Sequence, residues 1–341
     1  MVSPSTIKKA IADLKSTAPA GLTAVVVGGT NGIGKGFLYK LAEHTASPKI
    51  YIVGRSESTL NTIISELKTL NPEGTYIPIL SSDLTLVNQA SKATAQIISQ
   101  ESSKIDILFL SQGFLTLRGR DESPEGLDKI SAIRYYGRLR FILDLLPLLE
   151  KSPNSPRVIS VLNAGSEGKV ITEDLALKDP KNSGPVTAIN AVTTYMTLSL
   201  ERLAKDHPHV SFIHAHPGVV RTNIFNAEHF HPAFSFVMNK VLGPTLLRVV
   251  TISPEESGER FLYLATSGRF PSVEGAKGSE KDADVAVGTD GKKGSGAYIV
   301  TGKCEAVLSE AVLKPLRETG VDEKIWEHTV GELERIKGLH V

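Results

Sequence analysis

Along the chain, apolar residues recur in two alternating rhythms. Short β-branched runs at 23–28, 49–53, 76–80, 105–111, 157–162 and 210–216 have the length and composition of strands. Between them, segments 33–44, 57–70, 85–101, 125–150 and 186–206 place apolar residues at helical spacing, as in Phe37, Leu38, Leu41 and Ala42. A further helix is expected around 6–15. Strand alternating with helix, with no tight hairpin, predicts an α/β fold: a doubly wound parallel sheet covered on both faces. No internal repeat or long low-complexity linker interrupts it.

Two later regions break the rhythm. Residues 224–250 are apolar and aromatic (Phe225, Phe230, Phe234, Phe236), interrupted by Pro232 and Pro244. They read as a lid over a site, or equally as two core-packed helices. Residues 272–296 are glycine-rich and charged, and a solvated loop is expected there. A strand at 297–300 and helical segments near 305–318 and 322–337 complete the chain. The division is an N-terminal helical extension (1–20), a dinucleotide-binding domain (21–302) and a C-terminal helical tail (303–341).

The first strand runs into Gly28-Gly29-Thr30-Asn31-Gly32-Ile33-Gly34. Glycines let the backbone turn sharply and approach a pyrophosphate, while the helix that follows offers free N–H groups and the positive end of its dipole. A Rossmann-type dinucleotide site follows from that context. With 341 residues, 41% of them hydrophobic, one large α/β domain with additions is sufficient. Lys plus Arg number 38 against 37 acidic residues, so no global field draws nucleic acid or an anionic membrane, and a small molecule is the expected partner. Cys304 is the lone cysteine, and no Cys/His cluster has metal-site spacing, so neither a disulfide nor a metal is expected. Residues 1–20 lack a signal-peptide core and no run reaches membrane-spanning length, which predicts a cytoplasmic protein.

From residue 22 to about 302 the chain resembles the short-chain dehydrogenase/reductase superfamily. Gly28, Gly32 and Gly34 match its spaced glycines, with Thr30, Asn31 and Ile33 in the same loop. Arg55-Ser56 follows the second strand, where the family's NADP(H) users place an arginine. A planar guanidinium suits a phosphate dianion, so the resemblance implies NADP(H) as cofactor. Asp83-Leu84 resembles the adenine-contacting pair, and Ser111-Gln112-Gly113 stands for an Asn-Ala-Gly turn. Pro217-Gly218-Val219-Val220-Arg221-Thr222 is similar to the segment closing over the nicotinamide, with Pro217, Gly218, Val220 and Thr222 as its matching positions. The wording of the chain also resembles a fungal branch whose members often serve specialised metabolism.

The family's catalytic residues are a serine, a tyrosine, a lysine one helical turn later and an asparagine. Here the matching positions hold Asn163, Val186, Asn190 and Arg134, and none of the eight tyrosines has a lysine four positions on. Asn190 can still bond a ribose hydroxyl, but it brings no charge to lower a neighbour's pKa. A positioned general acid contributes roughly 10²–10⁴ in rate and an oxyanion donor roughly 10²–10³. Losing both raises the barrier by about 5–10 kcal/mol. Replacement candidates are Arg134 and Asn163, which could stabilise an enolate, and His216, beside the expected nicotinamide. Glu167 lies on the same loop, where a solvated carboxylate is expected.

Three functions compete. The first is a non-redox enzyme (isomerase, cyclase or dehydratase) that keeps NADP(H) and acts on an apolar substrate. The second is an NADPH-dependent carbonyl or enone reductase with a substituted proton donor, and the third a non-catalytic dinucleotide sensor. Phe141, Leu145, Leu148 and Leu149 form an apolar stripe that suggests a homodimer or, equally, an intramolecular cover by the C-terminal helices.

Overall fold

A computed structural model describes residues 2–114, 116, 119–221, 251–278 and 284–339. The expected lid at 224–250 and Thr222 lie outside these residues. In chain order the elements are helices α1 (Pro4–Ala12) and α2 (Leu14–Thr17), β1 (Thr23–Val27), α3 (Gly32–His44), β2 (Lys49–Gly54), α4 (Glu57–Leu70), β3 (Thr75–Leu80), α5 (Val87–Gln100) and β4 (Ile107–Leu110). They continue with α6 (Lys129–Ser131), a π-helical turn (Ala132–Tyr136), α7 (Gly137–Leu149), β5 (Arg157–Val161), α8 (Pro185–Asp206), β6 (Ser211–Ala215), α9 (Pro254–Thr266), β7 (Ala297–Val300), β8 (Ala306–Val307), α10 (Glu310–Glu318) and α11 (Val321–Lys337).

One eight-stranded sheet orders these as β3-β2-β1-β4-β5-β6-β7-β8, parallel except for the antiparallel β7–β8 edge. Alternate residues of each strand face opposite layers. Val25, Val27, Leu108, Leu110, Val158 and Phe212 pack towards α5, α7, α8 and the C-terminal helices. Ala24, Val26, Phe109, Ile159 and Ile213 pack towards α1, α3, α4 and α9. That two-sided burial explains why the strands read as continuous apolar runs. The strand order reverses beside β1, which places the carboxyl ends of β1 and β4 at the topological switch point.

Four expectations need correction. The helix expected from 125 begins at Lys129, because Glu125 accepts from the N–H groups of Val87 (2.6 Å) and Asn88 (2.8 Å) and so caps α5 from outside. Helix α9 went unpredicted, although Ser253-Pro254-Glu255-Glu256 is a start signal and the Ser253 side chain does accept from Glu256 N–H. Its Gly258 and Gly36 of α3 let the two backbones touch: a Cβ on Gly36 would lie 2.1 Å from the Pro254 carbonyl oxygen. The 272–296 segment is more than a solvated loop, since Ser272, Ala276, Val285, Ala286 and Thr289 are buried. Finally, the first residues of the expected 305–318 helix form β8 instead.

The apolar stripe of α7 is already covered: Phe141, Leu145, Leu148 and Leu149 are buried within one chain. Across the same layer Tyr135 bonds Thr329 of α11 at 2.7 Å and Tyr136 bonds His328 at 2.9 Å. A second copy therefore finds no exposed apolar stripe there. Among the described residues no helix is long and apolar enough to cross a membrane, and no group of three or more His, Cys, Asp or Glu could hold a metal.

Candidate active site at the carboxyl edge of the sheet

The phosphate end is built from backbone. Gly28 turns out of β1 at φ +84°, and a Cβ there would lie 2.9 Å from the Gln112 nitrogen. At Gly34, a Cβ would lie 2.2 Å from the Gly28 carbonyl oxygen, so the first turn of α3 sits directly on the loop. Asn31 caps that helix by accepting from Gly32 N–H at 2.8 Å. Thr30 packs on the end of β2, where a Cβ on Gly54 would meet its methyl at 2.7 Å, and Ile33 packs on the apolar layer. This bare cradle, aimed along a helix axis, fits a pyrophosphate.

Flanking strands supply the rest. Arg55 follows β2 exposed, with no hydrogen bond or ion pair among the described residues. Ser56 is turned into α4, its hydroxyl accepting from Thr59 N–H at 3.3 Å, so it serves as that helix's cap. Asp83 accepts from Thr85 N–H (2.8 Å) and Oγ1–H (2.7 Å), while Leu84 is buried. Ser111 donates to the Val27 carbonyl at 3.1 Å, tying β4 to the glycine loop. Beside it Gln112 is buried with its Oε1 unpartnered, followed by Gly113. After β6, the Pro217–Gly218 turn rests on Gly302, and Val220 bridges to Ile252.

The other half of the edge is built from side chains. Arg134, in the π turn, is buried and donates from Nη2 to the Phe114 carbonyl at 2.8 Å, leaving Nε–H without a partner. Burial pushes its guanidinium down to about 10, which leaves it a cation at neutral pH. One further turn along, Arg138 was missed by sequence reasoning. It is fully buried and donates to the carbonyls of Val161 (2.7 Å), Gln112 (2.6 Å) and Leu110 (3.2 Å) and to Ser160 Oγ (2.8 Å). Desolvation pushes it down to about 9, with the Arg134 charge acting in the same direction. The available signal was an arginine at the head of the apolar run Leu139 to Leu149.

Asn163 and Asn190 are half-buried, and neither amide bonds a described residue. Their elements do meet: a Cβ on Gly168 would lie 2.8 Å from Asn190 Cβ, and Thr194 Oγ1 bonds both Gly168 N–H (2.8 Å) and Gly168 C=O (2.9 Å). Val186 is 70% exposed at the start of α8. His216 accepts from Gly218 N–H at Nδ1 (2.9 Å), and burial lowers its pKa. It is thus a neutral ring with its proton on Nε2. Glu167 is buried, against expectation, within reach of His214, a second residue missed by sequence reasoning.

The hydroxyls of the tyrosines on the π turn and α8 are engaged elsewhere. Tyr135 bonds Ser199 and Thr329, Tyr136 bonds His328 and Tyr195 donates to the Leu175 carbonyl. Among the described residues, where a lysine approaches a tyrosine ring the pair lies on α3 (Lys35, Tyr39), on β2 (Lys49, Tyr51) or between α4 and β3 (Lys68, Tyr76).

Residues 22–173 match the profile of the short chain dehydrogenase family. The chain is 40% identical to an oxidoreductase of Emericella nidulans (AN1596) over 332 residues, 96% of this chain and 97% of that one. It is 32% identical to the short-chain dehydrogenase/reductase SAT2 of Stachybotrys chartarum, covering 98% of both. Among solved structures it is similar to the NADPH-bound carbonyl reductase from chicken fatty liver (TM-score 0.53, 14% identity, 85% of this chain and 100% of that one). It is also similar to the L-sorbose reductase of Gluconobacter frateurii (TM-score 0.53, 17% identity, 73% and 90%), two likenesses that concern fold alone. The chain belongs to the short-chain dehydrogenase/reductase family, and its similar relatives include fungal oxidoreductases.

Proposed function

We propose that the protein binds NADP(H) and acts on an apolar small molecule of fungal specialised metabolism by a non-redox step: isomerisation, cyclisation or dehydration. One observation carries this reading. The positions matching the family's serine, tyrosine and lysine hold Asn163, the exposed Val186 and Asn190, while the tyrosine hydroxyls nearby are bonded into the core.

The glycine loop would hold the pyrophosphate, Arg55 the adenosine 2′-phosphate, and the Pro217–Val220 turn the far end of the dinucleotide. When bound, NADP(H) would supply hydride chemistry, which a net non-redox step does not consume. Arg134 and Asn163 act on the substrate oxygen: a buried guanidinium with an unused N–H and a free amide stabilise charge developing on a carbonyl or enolate. Asn190 bonds the ribose. His216, neutral and protonated on Nε2, polarises by donating a hydrogen bond without giving up its proton.

The test is incubation of the purified protein with NADPH and apolar enones, β-dicarbonyls and hydroxy ketones, following nicotinamide absorbance and product mass together. An isomeric or dehydrated product with NADPH undiminished is expected; stoichiometric NADPH loss with a product gaining two hydrogens overturns the reading. The naming of relatives as oxidoreductases favours a second reading, an NADPH-dependent carbonyl or enone reductase whose proton comes from water or His216. Under that reading His216→Gln lowers the reductase rate if His216 is the donor.

A further inference from the structure

The Asn163–Gly168 turn is held by a buried hydrogen-bond chain that begins in the C-terminal segment. Glu167, its side chain fully buried, accepts from Gly165 N–H (3.2 Å), from Thr197 Oγ1–H on α8 (2.9 Å) and from the Ser309 hydroxyl. Ser309 precedes α10 as its N-cap residue, yet it makes no capping bond. Serine at that position ordinarily satisfies a free N–H of its own helix. Here the hydroxyl reaches across 142 residues to Glu167 instead.

The chain continues inward. Thr197 has one hydroxyl proton and two acceptor-only neighbours, the Glu167 carboxylate at 2.9 Å and the Thr193 carbonyl of its own helix at 3.2 Å, and the shorter, charged partner takes it; on either partner it is turned away from His214. Its oxygen lies 2.7 Å from His214 Nδ1 and therefore accepts from an Nδ1–H. His214 Nε2 is then a bare acceptor, buried and without a partner. Ser160 is its cross-strand neighbour and carries the Arg138 guanidinium on its hydroxyl. The clamp thus ends beside the second buried cation of the edge.

We propose that Glu167 is a positioning residue completed by the C-terminal segment: it fixes the Asn163 turn against α8 and, through Thr197, holds His214 with its proton on Nδ1. That the turn belongs to the active site rests on the function proposed above; the clamp itself does not.

The experiment therefore needs neither cofactor nor substrate. Hydrogen exchange of the full chain is compared with that of Ser309→Ala, Ser309→Thr and Glu167→Gln, and the tautomer of His214 is read from imidazole ¹⁵N resonances in wild type and Thr197→Val. Ser309→Ala is expected to speed exchange across 163–168 at least tenfold with β1, β2 and β4 unchanged, and Ser309→Thr to restore protection. Wild-type His214 is expected to carry its proton on Nδ1. Unchanged exchange in Ser309→Ala, loosening spread evenly over the sheet, or a His214 proton on Nε2 overturns the proposal, and the Ser309 variants decide it even if Glu167→Gln fails to fold. Once a substrate is known, kcat in Ser309→Ala should fall about tenfold with the Kd for NADPH unchanged, a split that general destabilisation does not produce.

Discussion

At the β1–β2 end of the carboxyl edge the chain presents peptide groups and almost no side chains, with Gly28 and Gly34 so close that a single methyl would collide. At the β4–β6 end it presents two buried guanidiniums, two free amides and two histidines, the guanidiniums and His214 held by bonds between residues 17 to 28 positions apart. Backbone recognition leaves little room for substitution, because a Cβ at Gly28 or Gly34 would collide with the loop itself or with the end of β4. Side-chain recognition can be exchanged residue by residue while the frame stays. A family can thus keep its dinucleotide cradle and still change what happens beside it.

Substitutions at the two ends should separate along that line. The largest effect is expected from Gly34→Val, which puts a branched side chain where even a Cβ comes within 2.2 Å of the Gly28 oxygen: NADPH affinity by calorimetry should fall by about 10³, or about 4 kcal/mol. Retained affinity would mean the cradle is not what holds the cofactor. Arg134→Gln should do the converse, lowering turnover by roughly 10²–10³ while NADPH affinity stays within about twofold. If both parameters fall together, the two ends are not independent.

Arg138→Met strands several buried acceptors at the strand ends and should cost about 3 kcal/mol of stability in urea unfolding. Acid sharpens the picture further. Burial, with Arg138 and His216 nearby, lowers His214 from 6.5 to about 3, so the native ring stays neutral where the unfolded one is protonated. Its contribution is complete above pH 6.5 and is lost as pH falls toward 3, by about 1.4 kcal/mol per unit. His214→Asn, which keeps a short polar group beside Thr197, should flatten that acid slope in denaturation curves taken between those limits. The smallest effect is expected from Arg55→Ala, an exposed charge: preference for NADPH over NADH should drop about tenfold, roughly 1.4 kcal/mol, measured by competition binding.

Much of the phosphate end was legible beforehand. Strand β1, the glycine loop and α3 are contiguous, so local pattern sufficed, and the observed boundaries of those elements differ from the expected ones by a residue or so. Arg134, Asn163, Asn190 and His216 could be named from their positions in the family pattern, and the structure sets all four on elements that reach the carboxyl edge. Arg138, His214 and the burial of Glu167 were not legible. Each depends on partners dozens of residues away, as when Ser309 meets Glu167 or Ser160 meets Arg138. The same holds for Glu125, a plausible first-turn helix residue drawn off to cap α5.

Hydrophobic period and turn chemistry alone determined the seven parallel strands and the dinucleotide loop, because those follow from interactions within a few residues and from the need to bury two faces. Which polar groups lie inside, whom they bond and in what protonation state was decided only by tertiary structure. Burial and the direction of a hydrogen bond are properties of surroundings that assemble after the local elements have formed.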